Sequence, residues 1–343
     1  MQKNLKPSAK SARESPELTV VVPVLNEERN VPLIVERLTK VLEACVASHE
    51  ILFIDDGSRD QTLAVIRKLA DTNIAIRCLS FSRNFGKEVA LAAGLEHSRG
   101  AAVIIIDADL QHPPETIADF VAKWREGYDM VYGQRIDRTT DGKTYSRFAS
   151  RFYAIFERLG EMPLPEGAGD FRLVSRRVVE VLKRMPERAR FSKGLYAWVG
   201  FRQIGVPYKV ANRIHGETKW NYQKLFRFAF DGLTSFSTVP LRLATYTGVV
   251  ISALAFLYAA VTILRTLLFG ADVPGFPSIL VSVMFFSGIQ LIFLGIIGEY
   301  IGRIFAEVKE RPLYILAEEV GAHKPHDEPQ ALATPRRSSA KPR

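Results

Sequence analysis

The segment IIIDADLQHP sets two carboxylates, Asp107 and Asp109, at positions i and i+2 directly after an apolar run, with the Gln111 amide two residues further on. Where a chain leaves a sheet, two such side chains can aim at one point in space. Hard oxygen donors of this kind suit Mg²⁺ or Mn²⁺, which take one or two carboxylates and complete their shell with substrate phosphates. The work for such an ion is to bridge a diphosphate and neutralise a leaving group. A second acidic pair, Asp55 and Asp56, closes another apolar run, EILFIDD. The two cysteines, Cys45 and Cys78, fit neither a disulfide framework nor a zinc pattern, and two buried free thiols in a reducing compartment are expected.

The elements that must hold these carboxylates follow from the periodicity. Between residues 18 and 135 the runs LTVVVPV, EILFIDD, IAIRCLS, AAVIIIDAD and DMVYGQR alternate with stretches of helical spacing at residues 28–47, 61–70 and 87–97. Runs apolar on both faces and separated by helices predict a parallel sheet covered on both sides. In such a doubly wound α/β domain, ligands bind outside the carboxyl ends of the strands, which is where both acidic pairs fall.

The 343 residues carry 46 basic and 37 acidic side chains, a formal charge of +9. The mean hydropathy of +0.03 hides a polar first part and an apolar last third. Two uncharged apolar windows, residues 243–264 and 273–298, each exceed the roughly 20 helical residues that cross a bilayer core. The short connection between them predicts a helical hairpin. Lys224, Arg227, Arg242, Arg303, Lys309 and Arg311 lie on its outer flanks, so the positive-inside rule predicts a cytoplasmic N-terminal domain and tail. Two further segments, YSRFASRFYAIFERLG and KWNYQKLFRFAFDGLTSF, carry aromatic stripes and basic flanks, a pattern shared by core helices and by helices lying in the membrane interface. The termini are rich in basic, Pro, Ser and Ala residues and predict disordered tails.

Six ordered motifs, VVPVLNEERN, FIDDGSRDQT, DADLQHPPE, GQR, GAGDFRLVSRRVVE and HGETKW, resemble glycosyltransferase family 2, in particular its polyprenyl-phosphate branch. Dolichol-phosphate mannose synthases and bactoprenol glucosyltransferases are the nearest kinds. The ending GEYIGRIFAEVKERPLYI looks like the bacterial subgroup, and the resemblance spans about residues 18–316. It implies a GT-A-type doubly wound, mostly parallel sheet, followed by amphipathic interface helices and a two-helix transmembrane hairpin. The implied division is 1–17 basic tail, 18–220 cytoplasmic catalytic domain, 221–240 interface helix, 241–268 and 273–303 membrane helices, 304–320 juxtamembrane segment and 321–343 tail.

The resemblance also assigns residues. Pro23, Leu25 and Glu27 would line the base and ribose pocket, where many relatives carry an aromatic in place of Leu25. Ile54 and Asp56 would hold base and ribose, with Asp55 beside them, although Asp56, Gly57 and Ser58 equally suit a simple helix cap. Asp107 would face sugar and ribose, with Ala108 in the donor site, while Asp109 and Gln111 would ligate Mg²⁺ or Mn²⁺. Arg135 would meet phosphate, and Arg213 and Lys219 would clamp donor or acceptor phosphates, a fork and a point charge respectively. Arg147 and Arg151 would meet the lipid phosphate. Asp170 would orient sugar or acceptor, because a polyprenyl phosphate is ionised at neutral pH and needs no general base. The implied partners are a nucleotide-sugar donor, UDP-linked by the subgroup, a polyprenyl phosphate acceptor, the inner membrane, and further copies of the chain, up to a tetramer.

Other classes fit less well. No G-x-G-x-x-G follows the first strand, which argues against a NAD-type enzyme. No Q-x-x-R-W motif is present, as a processive polysaccharide synthase would carry. A non-catalytic scaffold would be expected to have lost its ligating residues, yet Asp107, Asp109, Gln111, Arg135 and Lys219 are intact. The positive charge sits mainly in tails and membrane flanks, which disfavours nucleic acid.

Overall fold

The computed structural model describes residues 15–136, 168–185, 187–188, 190, 192–210, 239–269 and 275–321. The expected helical segments around Arg147 and Arg151 and around Lys219, together with Arg213 and residues 1–14 and 322–343 of the tails, lie outside them.

Strand β1 (Leu18–Val24) is nearly all Val and Leu and buried on both faces. It pairs in parallel with β2 (His49–Asp55), which pairs in parallel with β3 (Ile76–Phe81). On its other side β1 pairs in parallel with β4 (Ala102–Ile105). Helices α1 (Asn30–Cys45), α2 (Thr62–Thr72) and α3 (Lys87–His97) make the crossovers. The expectation of a mostly parallel sheet thus describes the central four strands, whose double burial favours that arrangement. The whole sheet is mixed. After α4 (Ile117–Arg125) come β5 (Met130–Arg135) and β6 (Ala168–Ser175), and β6 runs antiparallel to both β4 and β5. Helices α5 (Arg176–Lys183) and α6 (Ser192–Trp198) precede β7 (Gln203–Tyr208), parallel to β5.

The core lies on both faces of this sheet. One layer joins Val31, Ile34 and Leu38 of α1, Ile66 of α2 and Phe120 of α4 to the strands. The other joins Ala90 and Leu91 of α3, Val178 and Leu182 of α5 and Leu195 of α6. Gly94 lets α3 lie directly on β1, since a β-carbon there would fall 2.2 Å from Val21 Cγ1.

Two long helices follow, α7 (Val239–Phe269) and α8 (Phe276–Val308). They expose Leu254, Phe256, Leu257 and Tyr258 on α7 and Phe285, Leu291, Ile292 and Leu294 on α8, an outward apolar surface unlike that of a core helix. Among the described residues, one stretch, Phe285–Val308, is long and apolar enough to cross a membrane, and Ala244–Tyr258 is a shorter apolar stretch. Beyond α8 the chain returns to the sheet. Strand β8 (Leu316–Val320), the end of the expected juxtamembrane segment, pairs antiparallel with the free edge of β3. The sheet order is therefore β7-β5-β6-β4-β1-β2-β3-β8.

Candidate active site

Parallel pairing brings the carboxyl ends of β1, β2, β3 and β4 to one edge. The antiparallel strands add to it from the other direction: β6 starts there, with Arg172 opposite Ile105. Strands β5 and β7 end there, with Arg135 opposite Tyr208. Asp56, Asp107, Asp109, Asp170 and Arg135 thus reach one rim from separate elements.

At the end of β4 the chain turns sharply. Leu110 adopts φ 61°, a left-handed conformation that costs a residue with a β-carbon about 1–2 kcal/mol. The Asp109 carboxylate accepts the Gln111 amide at 3.1 Å, closing the turn. Asp107 faces inward, and the Lys87 ammonium, at the first residue of α3, lies 2.7 Å from it and 2.9 Å from Asp170. One cation therefore bridges two carboxylates from β4 and β6. Crowding by protein opposes charge on Lys87, but the two carboxylates outweigh it and raise its pKa. Burial likewise opposes charge on Asp170, yet Lys87 and Lys193 hold its carboxyl well below the usual range.

His112 packs beside this pair, stacked on Phe171 at 5.1 Å, with Nδ1 3.8 Å from Asp107. Burial depresses its pKa against the pull of Asp107 and Asp109. Behind Lys87, Glu88 accepts the Ser192 amide at 2.9 Å and the Ser192 hydroxyl, which fixes the start of α6 against α3. Buried His112 Nδ1 and Asp170 Oδ1 lack a hydrogen-bond partner, an open polar demand at the rim that a bound polar ligand would meet.

The other half of the rim is built on backbone. Asp56 accepts the Phe85 amide at 2.6 Å and the Gly86 amide at 2.9 Å, and burial raises its pKa despite those bonds. The loop from Phe81 to Gly86 crosses directly over Gly57, where a β-carbon would fall 2.6 Å from the Arg83 carbonyl carbon. Gly57 also has φ 72°, which suits glycine. Asp55 is committed inside the protein, accepting the Ser80 hydroxyl at 2.7 Å and the Ser58 amide at 3.0 Å. The cap reading of Ser58 is not what forms: its hydroxyl accepts the Asn26 amide, and Asp60 accepts the Thr62 amide at the start of α2.

Pro23, Leu25 and Glu27 lie half-buried at the end of β1, and the Glu27 carboxylate accepts the Asn30 side-chain amide at 2.6 Å. The Ile54 side chain is fully buried and Ala108 nearly so, so only their backbone can meet a ligand. Arg135 is half-buried beside Tyr208, whose phenol is pushed up by burial. Lys87, Glu88 and His112 escaped the sequence reading. The signal for Lys87 is the NFGKE step, a lysine opening a helix just past a strand end.

Among the described residues no group of three or more His, Cys, Asp or Glu side chains can hold a metal by itself. The Asp109 carboxylate and the Gln111 side-chain amide on one turn instead fit an ion that draws its remaining ligands from phosphate and water.

The profile of glycosyl transferase family 2 matches residues 19–183, and that of the GtrB C-terminal hairpin matches residues 239–304. The chain is 48% identical over 299 residues to a prophage bactoprenol glucosyl transferase homolog of Escherichia coli K12, covering 87% of this chain and 98% of that one. It is also 48% identical to the bactoprenol glucosyl transferase of Shigella phage SfII, covering 87% and 97%. Among solved structures, mannosyl-3-phosphoglycerate synthase from Rubrobacter xylanophilus aligns over 68% of this chain and 75% of its own, with 20% identity and a TM-score of 0.45. With that identity to relatives matched over nearly their whole length, the chain belongs to glycosyl transferase family 2 and is a glycosyltransferase with a GtrB-type C-terminal hairpin.

Proposed function

We propose that the protein transfers a hexose or a modified pentose, with inversion, from a UDP-sugar to polyprenyl phosphate at the cytoplasmic face of the inner membrane. The observation that carries this is the meeting of Asp107, Asp109, Asp170 and Lys87 at one sheet edge, in a chain that also holds a long apolar helical hairpin. The relatives named as bactoprenol glucosyl transferases support the acceptor.

Asp56, with the β1 end at Pro23, Leu25 and Glu27 and the backbone of Ile54 and Ala108, contacts base and ribose, while Asp55 holds the turn. Asp107 faces the sugar. Asp109 and Gln111 would hold Mg²⁺ or Mn²⁺, which would offset the charge of the departing diphosphate. Arg135, Arg213 and Lys219 bind phosphate oxygens, and Arg147 and Arg151 meet the lipid phosphate. The acceptor phosphate oxygen forms a bond to the anomeric carbon as the bond from that carbon to the diphosphate breaks. A carboxyl held as low as that of Asp170 is a weak base, which agrees with a role in orienting the sugar. The phosphate-binding basic side chains named above then stabilise the leaving group.

Chain parity supports two membrane crossings. β8 follows α8 yet shares a sheet with strands that precede α7, so both ends of the hairpin lie on one side. If α8 crosses the bilayer, α7 must cross it too. The basic flanks Arg242, Arg303, Lys309 and Arg311 support the cytoplasm as that side. At Gly298 and Gly302 an added β-carbon would meet nothing, which leaves a small-residue face on α8 open to a second copy in a homotetramer.

The test is transfer by the purified full chain in detergent, with undecaprenyl phosphate, Mn²⁺ or Mg²⁺, and a panel of radiolabelled UDP- and GDP-sugars. One UDP-sugar is expected to label the organic phase, and a chelator to abolish the label. Labelling from a GDP-sugar would overturn the base assignment, and no labelling from any donor would overturn the reaction.

A further inference from the structure

The chain that leaves α8 docks against the loop that organises the nucleotide half of the rim. Tyr314 stacks on Phe81, with ring centroids 5.0 Å apart and an interplanar angle of 19°. Its hydroxyl donates to Glu96 at 2.7 Å and lies 2.8 Å from His97 Nε2, both at the end of α3. The next carbonyl, that of Ile315, accepts the Ser82 amide at 2.9 Å. Phe81 in turn meets Phe85 edge-on at 5.7 Å, and the Phe85 amide is one of the two that hold Asp56. The same loop rests on Gly57 with no room for a β-carbon. A continuous set of contacts therefore runs from the exit of α8 through Tyr314, Phe81 and Phe85 to Asp56. Nothing between these groups is a flexible side-chain tip: the links are two aromatic packings, a backbone hydrogen bond and two amides.

We propose that Tyr314 is a positioning residue for nucleotide binding, tying the cytoplasmic end of α8 to the loop Phe81–Gly86 and thereby fixing Asp56. The proposal rests on the reading of Asp56 as a nucleotide contact. A second tie at the same helix end supports a fixed geometry. The Arg188 amide donates to the Glu307 carboxylate at 2.7 Å and its guanidinium to the Arg311 carbonyl at 2.6 Å. The membrane helix is thus clamped to the domain on two sides, and the donor site is held at a set orientation to the bilayer.

Three variants of the full chain in detergent test this. Tyr314→Leu keeps apolar bulk but loses the stacking and the hydroxyl; Tyr314→Phe keeps the ring; Arg67→Ala breaks only the surface pair with Glu318 on β8. Hydrogen exchange of the Phe85 and Gly86 amides reads the loop directly. UDP and GDP, titrated with Mn²⁺, read the site. Tyr314→Leu is expected to speed exchange of those two amides and weaken nucleotide binding about tenfold, with kcat at saturating donor nearly kept. Tyr314→Phe and Arg67→Ala are expected to behave as the parent chain. Parent-like exchange and affinity in Tyr314→Leu would overturn the proposal, as would equal losses in Arg67→Ala. A parent chain that binds neither nucleotide would remove the donor reading instead, while amide exchange still decides whether Tyr314 holds the loop.

Discussion

Lys87 stands where two carboxylates would otherwise face each other, and its removal separates catalysis from folding. Its side chain keeps 44% of its surface open to solvent, so screening limits its worth to stability. Lys87→Met should leave the fold intact, while Asp107 and Asp170 lose the cation that bridges them. A loss of transfer of roughly 10²-fold is expected, the scale for deleting one preorganised electrostatic group. Assay at saturating donor and acceptor checks it, and a rate near that of the parent chain would make Lys87 a bystander. Asp56 shows the opposite balance. Its folded pKa lies above the unfolded value, so its ionisation costs the fold stability as pH rises through the folded pKa. Asp56→Asn removes this ionisation but sets a donor against the Gly86 amide, so its melting temperature should vary less with pH above 3.8 than that of the parent chain. The same variant should bind nucleotide poorly. Thermal melts across pH, paired with a UDP titration, test both halves.

At the scale of elements, close packing of α3 on β1 sets where Lys87 emerges. Gly94→Ala would drive a methyl into Val21, a β-branched residue locked in a fully buried strand. Overpacking of this kind costs about 1–3 kcal/mol, and here it also pushes the start of α3 away from Asp107 and Asp170. Lower denaturant midpoints with an additional fall in transfer are expected, and a stable variant with normal transfer would show that α3 has room to shift. The first five strands and three crossover helices were legible because their patterns are local, and the sequence placed α3 at residues 87–97, its observed span. β6, β7 and β8 were not, since joining a sheet built mainly by earlier strands, whether between β4 and β5 or at its edges, leaves no local mark. The same distinction separates site residues. Asp107 and Asp109 announce themselves by spacing, whereas the bridge from Lys87 to Asp170 joins α3 to β6 through the sheet order alone. Asp55 misled for a related reason: side by side in sequence, Asp55 and Asp56 point to opposite employments, one to Ser80 inside and one to the rim.

For the whole molecule, the return of the chain to β8 converts a question about the membrane into one about parity. Catalytic strands and β8 share one sheet, so a single crossing between them is topologically impossible. The number of crossings between them is even, and α7 and α8 are the two long helices among the described residues of that interval. Outward apolar side chains along both helices favour spanning, because leaving that surface in water would cost roughly 25 cal/mol per Å². Cysteine labelling in intact spheroplasts distinguishes the cases. Replacing Cys45 with Ser leaves only the fully buried Cys78, giving a quiet background. Into it go single cysteines at Asp272, between the helices, and at Arg311, after them. A membrane-impermeant maleimide should label the Asp272→Cys chain in intact cells and the Arg311→Cys chain only after lysis. Labelling of neither until lysis would mean that α7 and α8 lie along the inner surface, with the donor site and the lipid phosphate meeting there without a transmembrane anchor.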